Sequence, residues 1–445
     1  MKKTLLAQAL CIAFVSSAVA LPVHASEAEL LQKIEKLAAE LDAIKAELVA
    51  TRKQAAIVEK KQEVLANTVN TTVANNATTV SAGNASMASA ASNMMQKTVI
   101  SSYGEISYSR PTKATNQAQT DVGRAVIGIT HRFDEKTKMV AEFEWEHAIA
   151  SSGDKGETEV EQLYVEHELN NNLRAKAGLF LMPVGLLNTT HEPTAYYGVQ
   201  RNFVETAIIP TTWREVGAGL SGSYDNGVSW DAGLTTGFDL SKWSATSSDG
   251  SDSPLRSIHQ EGQLAKSRDL SLHAALNWRG IPGLLVGGSV FTGKAGHGTT
   301  NFAGNDARVT LWDVHTRFTP GRWDLSALYS RGTISNTEAL NLTFVGQPTP
   351  VPSSFFGWYT QAAYQLWKSN DYSLTPFLRY EQFNTANSYA PIPQGLGVAA
   401  AGTEKVTTLG TSFKIGEGVV LKADYQKFKL DNNRDRLNLG VGYSF

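Results

Sequence analysis

Glu142, Glu144 and Glu146 stand at every second position of one stretch, and Met139, Ala141, Phe143 and Trp145 fill the other phase. The same rhythm sets Arg124 and Arg132 against Ala125, Ile127, Ile129 and Phe133. It places Glu166 with Glu168, and Arg174 with Lys176. Further on, Asp313, His315 and Arg317 oppose Trp312, Val314 and Phe318, while Arg379 goes with Glu381 and Lys422 with Asp424, Lys414 lying on the stretch before. Successive side chains of a strand point to opposite faces, so each stretch carries one charged and one apolar face. Charges spread along one face of many strands do not make or break bonds. They line water and steer charged solutes through their summed field. Acidic groups gather on the third and fourth stretches, and basic ones recur on the second, the fifth and the last four, so a transverse field is expected unless neighbours neutralise one another. No nucleophile motif, glycine-rich phosphate cradle or Cys/His metal set accompanies them, so the chain does not read as an enzyme, and no catalytic residue, cofactor or metal ligand is expected.

The elements that hold these charges are strands. The last ten residues, RLNLGVGYSF, put Leu437, Leu439, Val441, Tyr443 and Phe445 in one phase and Arg436, Asn438, Gly440, Gly442 and Ser444 in the other. That is a lipid face and a water face, as a membrane-crossing strand requires. The ending Gly440-x-x-Tyr443-x-Phe445 resembles the terminal signal by which outer-membrane barrels are recognised for insertion. Sixteen such segments begin near residues 99, 122, 138, 159, 172, 213, 227, 268, 283, 306, 322, 354, 371, 403, 418 and 435. Short turns (FDEKTK, LNNN, YDNG, RGIPG, TPGR, KSND, GEG) alternate with long connections near 111–121, 149–158, 182–212, 239–267, 294–305, 332–353, 384–402 and 431–434. Seven short turns and eight long loops fit an even-stranded barrel with both termini on one side. The expected fold is therefore all-β, a sixteen-stranded antiparallel transmembrane β-barrel over residues 98–445, preceded by an N-terminal α-helical coiled coil. An Arg or Lys on the lipid face costs about 2–4 kcal/mol at the bilayer midplane, which drives the phase assignment. Sixteen strands leave a channel rather than a filled interior.

The N-terminal quarter has three parts. Lys2 and Lys3, the apolar run Leu5 to Leu21 and Val23-His24-Ala25 read as a signal peptide over residues 1–25. The one cysteine, Cys11, lies inside it, so no disulfide is expected in the mature chain. Its loss also takes the formal net charge from −2 to −4, a balance that excludes nucleic acid as a default partner. Leu30, Ile34, Leu37, Leu41, Ile44 and Leu48 then follow the a/d spacing of a coiled coil over residues 26–65, with Glu40 and Glu47 placed to meet Lys45 and Arg52 of a parallel partner. Ile and Leu mixed at both core positions are compatible with a trimer. Residues 66–97 are uncharged but for Lys97 and rich in Ala, Asn, Ser and Thr, a composition expected of a flexible linker.

The third long connection, MPVGLLNTTHEPTAYYGVQRNFVETAIIPT, combines three prolines with three aromatic residues and with His191, Glu192, Arg201 and Glu205. A long loop with so much internal structure is expected to fold inward and constrict the channel near 182–212. Gly178, Pro183-Val184-Gly185, His191-Glu192-Pro193, Arg201-Asn202, Glu205 and Ile209-Pro210-Thr211-Thr212-Trp213-Arg214-Glu215 resemble the phosphate-selective porin O and P family in its broad sense. The added coil resembles the DcaP-type trimeric porins, which favour dicarboxylates. The resemblance implies a homotrimeric porin in the outer membrane of a Gram-negative bacterium, in contact with its lipid and with the coil in the periplasm. Small anionic solutes are the implied cargo. Arg201 and Arg214 lie in the matching segment and are the first candidates for solute contact, with Arg124, Arg174, Lys176 and Arg379 following from phase alone. His191, Glu192, Glu142 and Glu144 complete the candidate constriction; pinning of the loop to the wall is the other role open to Arg214, His191 and Glu205. An unselective diffusion pore and a barrel-anchored coiled-coil envelope tether are the alternative functions.

Overall fold

The computed structural model describes residues 97–445. The signal, coil and linker expected before them lie outside the described residues. Sixteen strands form one sheet: β1 (Thr98–Pro111), β2 (Gln119–Arg132), β3 (Thr137–Glu146), β4 (Thr158–Asn170), β5 (Leu173–Leu181), β6 (Arg214–Ser223), β7 (Val228–Thr235), β8 (Ser271–Trp278), β9 (Leu284–Lys294), β10 (Arg308–Phe318), β11 (Trp323–Ser335), β12 (Pro352–Tyr364), β13 (Tyr372–Tyr389), β14 (Glu404–Ile415), β15 (Val419–Phe428) and β16 (Arg436–Ser444). A short piece, Trp367–Ser369, prolongs β12 after a break and pairs with β13. Neighbours are antiparallel throughout, and β16 returns to β1 from Tyr103↔Ser444 to Pro111↔Arg436, closing the barrel. Closure leaves no strand edge unpaired, which a sheet in hydrocarbon must achieve because lipid offers no hydrogen-bond partner.

Every strand begins within three residues of its expected start. The ends next to the long loops overrun expectation: β13 has 18 residues, where roughly 9–11 suffice to cross a bilayer. Beyond the membrane the two phases no longer face lipid and water, so NTANSY pairs as strand without alternating. The phase assignment itself holds. Val314 is 54% exposed on the outer face, while its neighbours Asp313 and His315 are buried inside. Trp323, Trp367, Tyr372, Tyr443 and Phe133 lie on the outside near the short-turn ends, the aromatic belt of a membrane interface.

Two features of the inner wall depart from simple alternation. Between β3 and β4 the register runs Glu142↔Gln162 and then Phe143↔Val160, so Glu161 is the extra residue of a β-bulge. Counted from Leu163 and Val165, Glu161 would face lipid; the bulge turns it inward, where it is fully buried. The wall is also partly apolar. Phe291, Leu311 and Phe355 point inward and belong to one core with Trp213, Phe238 and Ile208 of the loops. Trp213 sits edge-on to Phe291 at 4.7 Å between centroids and stacks on Phe238 at 5.1 Å. Aromatic pairs of this kind add about 0.5–1.5 kcal/mol each beyond area burial.

The two faces make opposite predictions for one substitution. Val314→Arg, on the lipid side, is expected to cost about 2–4 kcal/mol in urea unfolding from lipid vesicles. Gln361→Arg, on the lumenal side of β12, is expected to leave the transition within error. Equal losses at both positions would refute the assignment of faces.

Candidate functional site

The third long loop, residues 182–213, leaves β5 and crosses the lumen instead of rising from it. The wall holds it through inward carboxylates that accept hydrogen bonds from loop donors. Gly185 N donates to Asp313 Oδ2 of β10 at 3.2 Å, and Tyr196 Oη to Glu105 Oε2 of β1 at 2.6 Å. Tyr197 Oη donates to Asp324 Oδ2 of β11 at 2.9 Å, Val199 N to Asp424 Oδ2 of β15 at 2.6 Å, and Phe203 N to Glu381 Oε2 of β13 at 2.7 Å. Glycines in the water phase of β16 make room for the loop. A Cβ on Gly440 would stand 2.9 Å from Val199 Cγ1, and one on Gly442 2.4 Å from Pro193 Cβ.

Glu205 organises the loop internally. Its buried carboxylate accepts from Leu186 N at 2.6 Å, Leu187 N at 2.7 Å, Asn202 Nδ2 at 2.8 Å and Tyr359 Oη of β12 at 3.0 Å. Burial pushes this carboxyl above the usual carboxylate range, against the pull of its donors. Gly185 beside it has φ +70°, and a Cβ there would lie 2.5 Å from Glu205 Oε1. Only glycine takes that conformation without strain and admits the carboxylate so closely.

Most of the expected cations are pins. Arg124 pairs with Glu105 at 2.8 Å and donates through Nη2 to the His191 carbonyl at 2.6 Å. Arg214 is buried and held by Glu159, by Glu261 at 3.3 Å and by the Thr212 carbonyl at 3.2 Å. Arg379 is buried against Glu381 at 3.1 Å. Lys176 binds Asp231 at 2.7 Å and lies 4.2 Å from the Phe180 ring centre. Arg174 stands apart near the short-turn end, 3.7 Å from Glu168 and partly exposed. Arg201 differs from these. Its Nη1 donates to the hydroxyls of Thr211 and, at 3.0 Å, Thr212, and among the described residues no carboxylate lies within 4.0 Å of it. His191 is buried with Tyr103 and Glu161, Glu192 is half-buried, Glu142 accepts from Gln162, and Glu144 is buried on the same wall.

Above the loop lie two cavities. One, of about 1090 Å³, is lined by Phe203, Lys242, Arg256, His259, Glu404 and Arg434, among others. The second, of about 890 Å³, borders Arg214, Lys242, Arg256 and His259 together with Glu144, Glu146, Glu157, Glu159 and Glu261. Lys242, Arg256 and His259 line both, and all three come from the fourth long loop, which folds inward as well. Burial works to raise the Glu261 carboxyl, but His259 and Arg214 outweigh it and hold it below the usual range. Strand phase, the signal that found the wall charges, says nothing about side chains on a loop. The fourth connection showed only its length.

Glu205→Ala is expected to leave four donors without their acceptor, at roughly 2–4 kcal/mol, and to loosen the third loop while the barrel persists. Limited proteolysis checks this: new cleavage within 183–213 in folded, heat-modifiable protein is the expected result, and unchanged resistance would refute the hub.

Residues 95–438 match the family described as phosphate-selective porin O and P. A protein of Aquifex aeolicus (strain VF5), described as uncharacterized, is 28% identical over 346 residues, 76% of this chain and 77% of that one. Among solved structures, OmpF of Salmonella typhi in complex with daunomycin superposes with a TM-score of 0.54 at 15% identity, over 78% of this chain and 97% of that one. The outer membrane channel DcaP of Acinetobacter baumannii superposes with a TM-score of 0.49 at 12% identity, again over 78% and 97%. The OmpF likeness is one of fold. The family match spans most of the chain and covers nearly all of the closed barrel and the whole of its inward loop, and so the chain belongs to the phosphate-selective porin O and P family, a porin of the outer membrane.

Proposed function

We propose that this porin passes small hydrophilic solutes by passive diffusion with a bias towards anions such as dicarboxylates or phosphate. The observation that carries the bias is Arg201. It lies on the constricting loop, half-buried, and among the described residues has only hydroxyl partners. A guanidinium without a carboxylate keeps its full charge for a passing solute, and in a narrow low-dielectric passage that charge acts with little screening. Thr211 and Thr212, its partners, border the second cavity, so a solute descending from the mouth would meet Lys242 and Arg256 first and Arg201 next. Small anions are the solute class this sequence of cations suits. Residues 26–65 are proposed as a periplasmic coiled coil that assembles a homotrimer, joined to the barrel by the uncharged linker.

One observation favours an unselective pore instead. The second cavity is bordered by Glu144, Glu146, Glu157, Glu159 and Glu261, enough carboxylates to offset its cations. Single-channel reversal potentials under a potassium chloride gradient separate the two readings. The anion reading expects the wild-type potential on the anion side, reduced current on adding succinate or phosphate, and a several-fold fall in anion-to-cation permeability for Arg201→Glu. A potential near zero that Arg201→Glu does not move would establish the unselective pore, and strong cation preference would refute both the bias and the role of Arg201.

A further inference from the structure

His191 brings a nitrogen of the inward loop up to two carboxylates of the wall. Its ligand atom and those of Glu142 on β3 and Glu161 on β4 all lie within 4.8 Å of one another. The imidazole is fixed in one orientation. Nδ1 stands 3.0 Å from the Asn188 carbonyl oxygen, which can only accept, so Nδ1 carries a hydrogen and Nε2 faces the carboxylates. Tyr103 Oη lies 2.7 Å from Glu161 Oε2 and 2.7 Å from His191 Nε2. Its single hydrogen goes to the carboxylate or the imidazole, not both. With the hydrogen on Glu161, Nε2 looks at oxygen lone pairs and at Glu161 Oε1, 3.6 Å away. Glu161 is fully buried, and its Oε1 has no hydrogen-bond partner. Something positive is called for between these atoms.

We propose that Glu142, Glu161 and His191 form a divalent-cation site that clips the inward loop to the barrel wall. One imidazole and two carboxylates suit a borderline first-row ion such as zinc, because hard calcium prefers an all-oxygen shell and softer ions prefer thiolates. Each donor already has the outer partner that orients a metal ligand: the Asn188 carbonyl for His191, the Tyr103 hydroxyl for Glu161 and the Gln162 amide for Glu142. Ligands of one zinc ion stand about 3.4 Å apart in tetrahedral geometry, so the cluster closes on the ion by up to about 1.4 Å. Glu142, half-buried, opens the site towards the lumen and gives the ion an entry path. Binding would tie β3 and β4 to the start of the loop and cancel negative charge where Glu144 and Glu161 sit side by side on the inner wall.

The test uses untagged, chelator-stripped full-length protein in detergent at pH 7.5 and reads zinc by equilibrium dialysis and elemental analysis. One zinc per chain is expected. Glu161→Gln and His191→Gln should each weaken binding at least tenfold, and Glu142→Gln guards against a variant that fails to assemble. X-ray absorption of the zinc form should show one imidazole among oxygen ligands. Zinc should also slow trypsin cleavage within 183–213 in the wild type but not in His191→Gln. Absence of a saturable site would overturn the proposal. Undiminished binding in both variants, or equal competition by calcium, would overturn it too. Binding is read without conductance, so its failure leaves the anion bias standing and the reverse also holds.

Discussion

The whole molecule follows from the need to satisfy every backbone polar group inside hydrocarbon. A sheet can do so only by closing on itself, and here the last strand pairs back to the first over nine residues. Closure at sixteen strands creates an interior too wide for wall side chains to fill. The alternation that sends Val314 to lipid sends Asp313 and His315 inside, so the fold delivers charged groups to the lumen as a consequence of solvation. What remains for this particular sequence is to decide which of those charges face solute.

Most of them are already paired. Asp313, Asp324, Glu381, Asp424 and Glu105 spend their acceptor capacity on loop donors or on a neighbouring cation. The wall therefore behaves as a socket. A backbone N–H pointed at an ionised carboxylate gains a charge-assisted bond in a sheltered setting, and repeating the contact on several strands fixes a loop that would otherwise carry unsatisfied polar groups into the lumen. The aromatic contacts of Trp213 and Phe238 with Phe291 do the same work apolarly on β9. This pairing of carboxylates with loop donors and wall cations also weakens the transverse field that a strand-by-strand charge count suggests. Arg379 on β13 has Glu381 as its counter-charge, and Lys176 on β5 has Asp231.

The barrel was legible in the sequence because its signal is periodic and repeated sixteen times. The inner wall was legible only where the period was unbroken. Glu142 and Glu144 follow from counting; Glu161 does not, because one bulge residue inverts the phase and nothing in the stretch VEQLYVEHEL marks where it falls. Gly440 and Gly442 were visible as water-phase residues, but their reason, the approach of Val199 and Pro193, lies 240 residues away in the chain or more. Arg201 and Arg214 were singled out together on sequence, and only their surroundings separate them. Arg214 has Glu159 and Glu261 beside it, and Arg201 has hydroxyls.

That separation bears on how selectivity can change without loss of the fold. A pinned cation such as Arg124 or Arg214 is buried against a half-buried partner, so replacing it strands a carboxylate and costs stability. Lys242 and Arg256 line both cavities without that penalty, and Arg201 shares their lack of a counter-charge: Arg201 and Arg256 have no carboxylate within 4.0 Å among the described residues, and the Lys242 ammonium meets a carbonyl oxygen of His259. Replacing any of the three strands no buried carboxylate. The architecture thus divides its lumenal charges into a set that holds the loop and a smaller set without a carboxylate partner, and on the proposed function substitutions in the smaller set are those that would retune a porin of this build from one small solute to another.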